Sequence, residues 1–282
     1  MSPAGRRPLG FRVFRGADGV AGAVGPNVVA FGKFDGLHLG HRALLHRAAG
    51  ASGRLGLPYG AVTFERHPDA FLRRGPVPGM LTGLGEKLRL LRDAGVHFVV
   101  LLPVDASVLG MPAEQFTHEV LHTRMEVRVV VVGQNFRFGQ RGGGGVLTLR
   151  ELSSVEGLDG VEVGTVQVAG APVSATRIRA SLAHGDVELA RDLLGRPYEV
   201  TGILRILSPT QAAVAVAAAR AVPCAGKYLG SFRLGSNPAT AAAVEVCEND
   251  GGRQRLIVLH DETGLVGRKP TGRARVVFDK RL

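Results

Sequence analysis

Four short apolar runs, Val28 to Phe31, Tyr59 to Phe64, His97 to Leu102 and Val127 to Val132, alternate with helix-compatible stretches such as Glu86 to Ala94 and Pro112 to Thr123. Continuous apolar runs of this length suit strands buried on both faces, as in a parallel sheet covered by helices. The series predicts a doubly wound α/β domain, in which ligands sit beyond the carboxyl ends of the strands. After Gly195 the texture changes. Val200 to Ile206, Ala212 to Ala217, Tyr228 to Leu234, Ala243 to Cys247, Leu256 to Leu259 and Ala274 to Phe278 are short β-like runs separated by Gly, Pro and Asn, and they predict a small barrel or sandwich. A chain of 282 residues can hold both cores. The expected division is a leader over 1–27 with one short strand, an α/β domain over 28–185, a helical junction over 186–197 and a β domain over 198–282.

Composition narrows the function classes. No apolar run approaches the roughly 18 residues of a membrane span, and the basic start MSPAGRRPLGFRVFRG lacks the apolar stretch of a secretory signal. The two cysteines, Cys224 and Cys247, make neither a disulfide framework nor a zinc-like spacing, so a reducing cytoplasm and no protein-held metal are expected. The net charge of +11 comes from 35 basic residues, 30 of them Arg, scattered without aromatic interleaving. This pattern argues against a nucleic-acid partner, while its positive field favours anionic nucleotides.

The stretch FGKFDGLHLGH, residues 31–41, follows the first apolar run and leads into the helix-compatible HRALLHRAAGAS. His38 and His41 then lie at a helix N-terminus, where free N–H groups and the dipole favour an anion. Gly32, Gly36 and Gly40 permit close approach of a ligand to the backbone, with Phe34 and Asp35 between them. The whole reads as a phosphate cradle, suited to phosphoryl or nucleotidyl transfer, which depends mostly on positioning and charge stabilisation. TFERHP, from Thr63, ends the second run. VGQNFRFGQRGGGG, from Val132, ends the fourth: Asn135 can bond a base or ribose, Phe136 and Phe138 either wall a flat ring or pack the core, and Arg137 or Arg141 can meet phosphate. The four glycines Gly142 to Gly145 predict a mobile lid. In VSATRIRASLAHGD, Ser174 or Thr176 would cap a helix whose first turn carries Arg177 and Arg179, an arrangement that opposes the dipole and is better explained by phosphate.

FGKFDGLHLGH resembles the HxGH nucleotidyltransferases, and the four stretches in this order resemble the prokaryotic bifunctional riboflavin kinase and FAD synthetase family, over about residues 28–198. The resemblance implies a Rossmann-like nucleotidyltransferase domain with a parallel sheet, followed by a small β-barrel. It implies transfer of AMP from Mg-ATP to FMN, with His38, His41 and Arg179 at the reacting phosphates. Gly32, Phe34, Asp35, Gly36, Gly40, Ser174, Thr176 and Arg177 would bind ATP, and Asn135, Phe136, Arg137 and Phe138 flavin or nucleotide. Magnesium would travel with ATP. Arg66 and Ala175 depart from the family's usual Pro and Ser. In the barrel, Pro209 and Thr210 survive but Gln211 and Ala212 follow where the family has Ala-Asn, and Glu245 is the candidate for the base. A barrel without kinase activity, retained for folding, oligomerisation or flavin binding, is therefore expected. Two alternatives stay open: a transferase using ATP or CTP on another phosphorylated acceptor, and a flavin- or nucleotide-binding protein without turnover.

Overall fold

The computed structural model describes residues 10–66, 79–208, 211–247, 254–260 and 272–282. His67 and Pro68 of TFERHP, and Pro209 and Thr210 of the barrel, lie outside the described residues. The chain forms two compact units, Met1–Val77 with Leu84–Val166, and Pro78–Gly83 with Gln167–Leu282.

The first unit is built on a six-stranded parallel sheet in the order β1-β4-β3-β2-β5-β6. Its strands are β1 (Arg12–Arg15), β2 (Asn27–Phe31), β3 (Tyr59–Phe64), β4 (Phe98–Leu102), β5 (Val127–Gly133) and β6 (Asp159–Val163). Successive residues of the central strands feed opposite cores. Val29 and Phe31, with Val130 and Val132, face a cluster containing Val20, Phe116, Val120 and Leu149. Val28 and Ala30, with Val129 and Val131, face Leu44, Leu45, Ala48, Leu90 and Leu91. Two covered faces explain why the strands read as unbroken apolar runs. The chain runs outward from β2 through β3 to β4, then returns to the other side of β2 with β5, so the switch in direction lies between β2 and β5.

The helices of this unit are α1 (Val20–Val24), α2 (Leu39–Leu55), α3 (Leu84–Asp93), α4 (Ala106–Leu109), α5 (Ala113–Gln115) and α6 (Val146–Glu156). Helix α2 ends at Gly56, whose φ of 66° is the left-handed cap that glycine supplies at least cost. Two differences from the sequence expectation have physical causes. The edge strand β6 is exposed or half-exposed, so no apolar run marks it, and the stretch read as a leader supplies, besides its one expected short strand β1, the buried Val20 and Val24 of α1. The helix expected over Pro112 to Thr123 becomes a π-helix over Phe116–Arg124. Apolar spacing does not distinguish that hydrogen-bond register from an ordinary helix.

The second unit contains a two-stranded hairpin, β7 (Gln167–Val168) with β8 (Ala171–Pro172), then α7 (Ala175–Ala183) and α8 (Val187–Leu194). It ends in a closed antiparallel barrel ordered β10-β13-β12-β11-β14-β9. The strands are β9 (Tyr198–Ser208), β10 (Gln211–Ala217), β11 (Gly226–Leu234), β12 (Thr240–Val246), β13 (Gln254–His260) and β14 (Gly272–Arg281). Closure leaves no unpaired edge. Tyr198, Tyr228 and Phe278 are fully buried in the unit, with Tyr228 and Phe278 meeting edge to face at 5.5 Å. Gly230 sits at a β-bulge where a Cβ would lie 2.1 Å from the Val277 carbonyl oxygen, so no side chain fits there. No helix among the described residues is long and apolar enough to cross a membrane.

Candidate active site

The turn after β2 is held in an unusual backbone. Phe34, Gly36 and Leu37 adopt φ of 48°, 78° and 42°. For Phe and Leu this conformation costs about 1–2 kcal/mol each, and such outliers persist where the surroundings over-determine them. Here the rings and methyls supply the constraint, because Phe34 is 0% and Leu37 2% exposed. Gly36 meets the same demand without strain. Gly36→Ala is expected to lower stability by about 1–2 kcal/mol, checked by thermal unfolding.

The turn delivers His38 as the N-cap of α2, its Nδ1 accepting from the His41 backbone N–H at 3.4 Å. That acceptor role leaves the proton on His38 Nε2, making the outer nitrogen a donor. The imidazoles of His38 and His41 stack with centroids 3.7 Å apart and 18° between planes, and Phe34 packs on His41 at 5.1 Å. Burial, then the charge of His38, then that of Lys87, hold His41 well below the usual imidazole range. His41 is therefore neutral at physiological pH and acts as a hydrogen-bond donor or acceptor, not as a fixed cation. Its Nδ1 is shielded from solvent and finds no hydrogen-bond partner among the described residues. An orphaned buried polar atom at a helix N-terminus is what an incoming ligand would satisfy.

Asp35 is 3% exposed between the glycines and the histidines. Lys87, on α3, is also only 3% exposed and is the residue that motif reading missed. Its Nζ donates to the Phe64 carbonyl at 3.3 Å and to the Thr63 hydroxyl at 3.5 Å. Burial pushes its pKa down to about 8, against an opposing pull from Asp35. A signal was present in the sequence: Lys87 stands one turn before Leu90 and Leu91, on the stripe of α3 that is buried.

Gly32 and Gly40 are half-buried beside this turn. Asn135 and Arg137 are exposed in the turn after β5, where the Phe136 N–H donates to the Gly133 carbonyl. Phe136 is half-buried and stacks on the buried Phe138 at 5.5 Å and 16°, and it lies 5.0 Å from Phe31. These rings join an aromatic cluster at the carboxyl ends of β2 and β3 that includes Phe64 and Phe116. The glycines read as a lid have a packing role: Gly144 exchanges backbone hydrogen bonds with Phe138, and a Cβ on it would lie 2.7 Å from the Phe138 ring. The turns after β2, β3 and β5 follow three strands adjacent in the sheet, so the first three motifs gather at the switch point.

The fourth motif belongs to the second unit. Ser174 caps α7, its Oγ accepting from the Arg177 N–H at 3.2 Å, while Thr176 is exposed in the first turn. Arg177 Nη1 donates to the carbonyls of Val168 and Ala171, both at 2.8 Å, tying the helix to the β7-β8 hairpin. Arg179 Nε donates to the Gly79 carbonyl at 2.7 Å.

Known proteins match this arrangement. The chain is 34% identical over 175 residues to the bifunctional riboflavin kinase/FMN adenylyltransferase of Escherichia coli (strain K12), a match covering 62% of this chain and 56% of that protein. The Pseudomonas fluorescens protein of the same name is 32% identical over 214 residues, covering 73% of this chain and 68% of its own length. The chain thus spans little more than half the length of the Escherichia coli relative. A solved structure of a macrolide-efflux protein from Streptococcus pneumoniae superposes with a TM-score of 0.84 at 22% identity, over 96% of this chain and 90% of that one, a likeness of fold. The family model for FAD synthetase matches residues 23–177, which take in the histidine turn, the Asn135 turn and the start of α7, and the chain belongs to the FAD synthetase family.

Proposed function

We propose that the chain is an FMN adenylyltransferase. The observation that carries this reading is the stacked pair of His38 and His41, with His41 neutral, at the left-handed turn that starts α2, in a member of the FAD synthetase family. A phosphate oxygen of FMN attacks the α-phosphorus of ATP in line. The new phosphorus–oxygen bond forms as the bond to the bridging oxygen breaks, and pyrophosphate leaves with the electron pair. His38 and His41 donate to phosphate oxygens as charge grows on them, and the free N–H groups of α2 add to that field. Arg179, and the α7 start capped by Ser174, serve the triphosphate. Magnesium enters with ATP as part of the substrate. Phe136 presents a ring face to the flavin or the base, Phe138 backs it, and Asn135 and Arg137 supply polar contacts at its rim. The reaction runs in a reducing cytoplasm.

The barrel is read as lacking riboflavin kinase activity. Gln211 replaces the residue expected after Thr210, and its Nε2 lies 3.2 Å from His260 Nδ1. His260 Nε2 in turn lies 3.2 Å from Glu245, the candidate base, so that carboxylate is engaged across the sheet. Incubation of the purified protein with Mg-ATP and either FMN or riboflavin, followed by chromatography, tests both claims. FAD and pyrophosphate from FMN, with no product from riboflavin, is the expected result. FMN from riboflavin would overturn the kinase reading. Pyrophosphate release only with a different phosphorylated acceptor, or only with CTP, would move the same chemistry to a specialised pathway.

A further inference from the structure

Lys87 occupies a position where α3 otherwise turns leucines inward, since Leu90 and Leu91 are buried beside it. An ammonium there loses its hydration and regains little: a hydroxyl at 3.5 Å, a carbonyl at 3.3 Å and the pull of Asp35. A leucine or methionine would fill the same volume without that cost. The hydrogen bonds run in one direction. Lys87 donates to the Thr63 hydroxyl, and Thr63 donates to the carbonyl of Lys33 at 3.0 Å, at the entry to the left-handed turn. The same ammonium acts on Asp35 within the turn and on His41 just beyond it.

We propose that Lys87 is a positioning residue of the phosphate cradle: a buried ammonium that, through Thr63 and Asp35, fixes the turn from Lys33 to Leu37 and so the placement of His38 and His41 toward a phosphate oxygen. This rests on the reading that His38 and His41 meet the ATP phosphates. Two consequences separate it from a purely structural role. First, folding lowers the Lys87 pKa to about 8 from an ordinary value of about 10.4. The unfolded chain therefore holds the proton through a pH interval in which the folded chain has released it. Charged Lys87 costs stability at neutral pH, and that cost disappears as pH rises through the interval. Second, burial is the first cause of the His41 depression, and protonated His38 on the same helix start and Lys87 from α3 add to it, with Asp35 in the turn acting on Lys87. Removing the Lys87 charge lets His41 accept a proton at higher pH.

The test is Lys87→Met, compared with wild type by three measurements. These are thermal unfolding at pH 7, NMR titration of the His41 imidazole with resonances identified through His41→Gln, and FAD formation from Mg-ATP and FMN as a function of pH. The expected result is a melting temperature equal to or above that of wild type and a His41 titration moved upward. The kcat is expected to fall about tenfold or more, with the acid limb of the rate profile moved upward. Thr63→Val, which cuts the link to the Lys33 carbonyl and keeps the ammonium, is expected to lower kcat with the His41 titration little changed. An unmoved His41 titration in Lys87→Met, wild-type kcat in that variant, or a lowered melting temperature as its only effect would overturn the proposal. If wild type makes no FAD, the function proposed above falls, and the His41 titration and the melting temperature still decide the role of Lys87.

Discussion

Replacing His41 by alanine is expected to lower the rate of FAD formation about 10²- to 10³-fold, the usual loss when one preorganised donor to a developing oxyanion is removed. Stability should change little, because the His41 side chain caps nothing and its Nδ1 finds no partner among the described residues. His38→Ala should lose a similar factor and, in addition, about 1 kcal/mol of stability, since this imidazole is the N-cap acceptor of α2. The double variant should lose less than the product of the single effects, because two stacked groups acting on one phosphate do not contribute independently. Pyrophosphate release under saturating Mg-ATP and FMN measures the rates, and thermal unfolding separates the capping loss from the catalytic one. Wild-type rates in the double variant would remove the histidine turn from the mechanism. The pH dependence has a definite sign. His41 is held below its ordinary value, so its contributions to rate and to stability are complete above about pH 6.5 and are lost as pH falls toward its folded-state value.

The largest stability effect is expected at Phe98, not in the site. Phe98 is 1% exposed in the sheet core, meets Phe14 edge to face at 6.3 Å, and pairs in register with Gly60 of β3. Its ring occupies the space above that glycine, where a Cβ would lie 2.4 Å from the ring. Phe98→Ala should cost about 3–5 kcal/mol through lost burial and a cavity. Gly60→Val should cost about 1–3 kcal/mol or more by overpacking. The two sites are coupled: Gly60→Ala combined with Phe98→Leu should cost less than the sum of the separate losses, because the smaller side chain vacates the volume that the new methyl needs. Urea denaturation of wild type, Gly60→Ala, Phe98→Leu and the double variant measures this. Strict additivity would contradict the ring-over-glycine packing.

Much of the architecture was legible because burial on two faces writes itself into composition. β3 matches the apolar run exactly, β2, β4 and β5 differ from theirs by one residue at one end, and all six barrel strands overlap the short runs that announced them. Elements half open to solvent were not legible. β6 lies at a sheet edge with mixed exposure, and nothing in its residue order separates it from a loop, whereas the one short strand expected in the leader is β1. The Gly142 to Gly145 run was ambiguous for a related reason. Glycine marks both freedom and crowding, and only the position of the Phe138 ring identifies Gly144 as crowded.

The candidate site divides along the same line. From residue order alone one obtains the turn at the end of β2, His38 and His41 at the start of a helix, Ser174 as a cap and the three motifs at strand ends, because local backbone demands and apolar period are properties of neighbouring residues. Tertiary structure alone decided that the two imidazoles stack, that His41 is neutral, that Arg177 ties a hairpin to its helix, and that a lysine from α3 stands buried behind the turn. Charge state and burial depend on which groups the fold brings within a few ångströms, and Lys87, one of the groups that set them for His41, is separated from it by most of α2 and the whole of β3. A linear pattern carries the period of a residue's own element, and the field at a residue belongs to its neighbours in space.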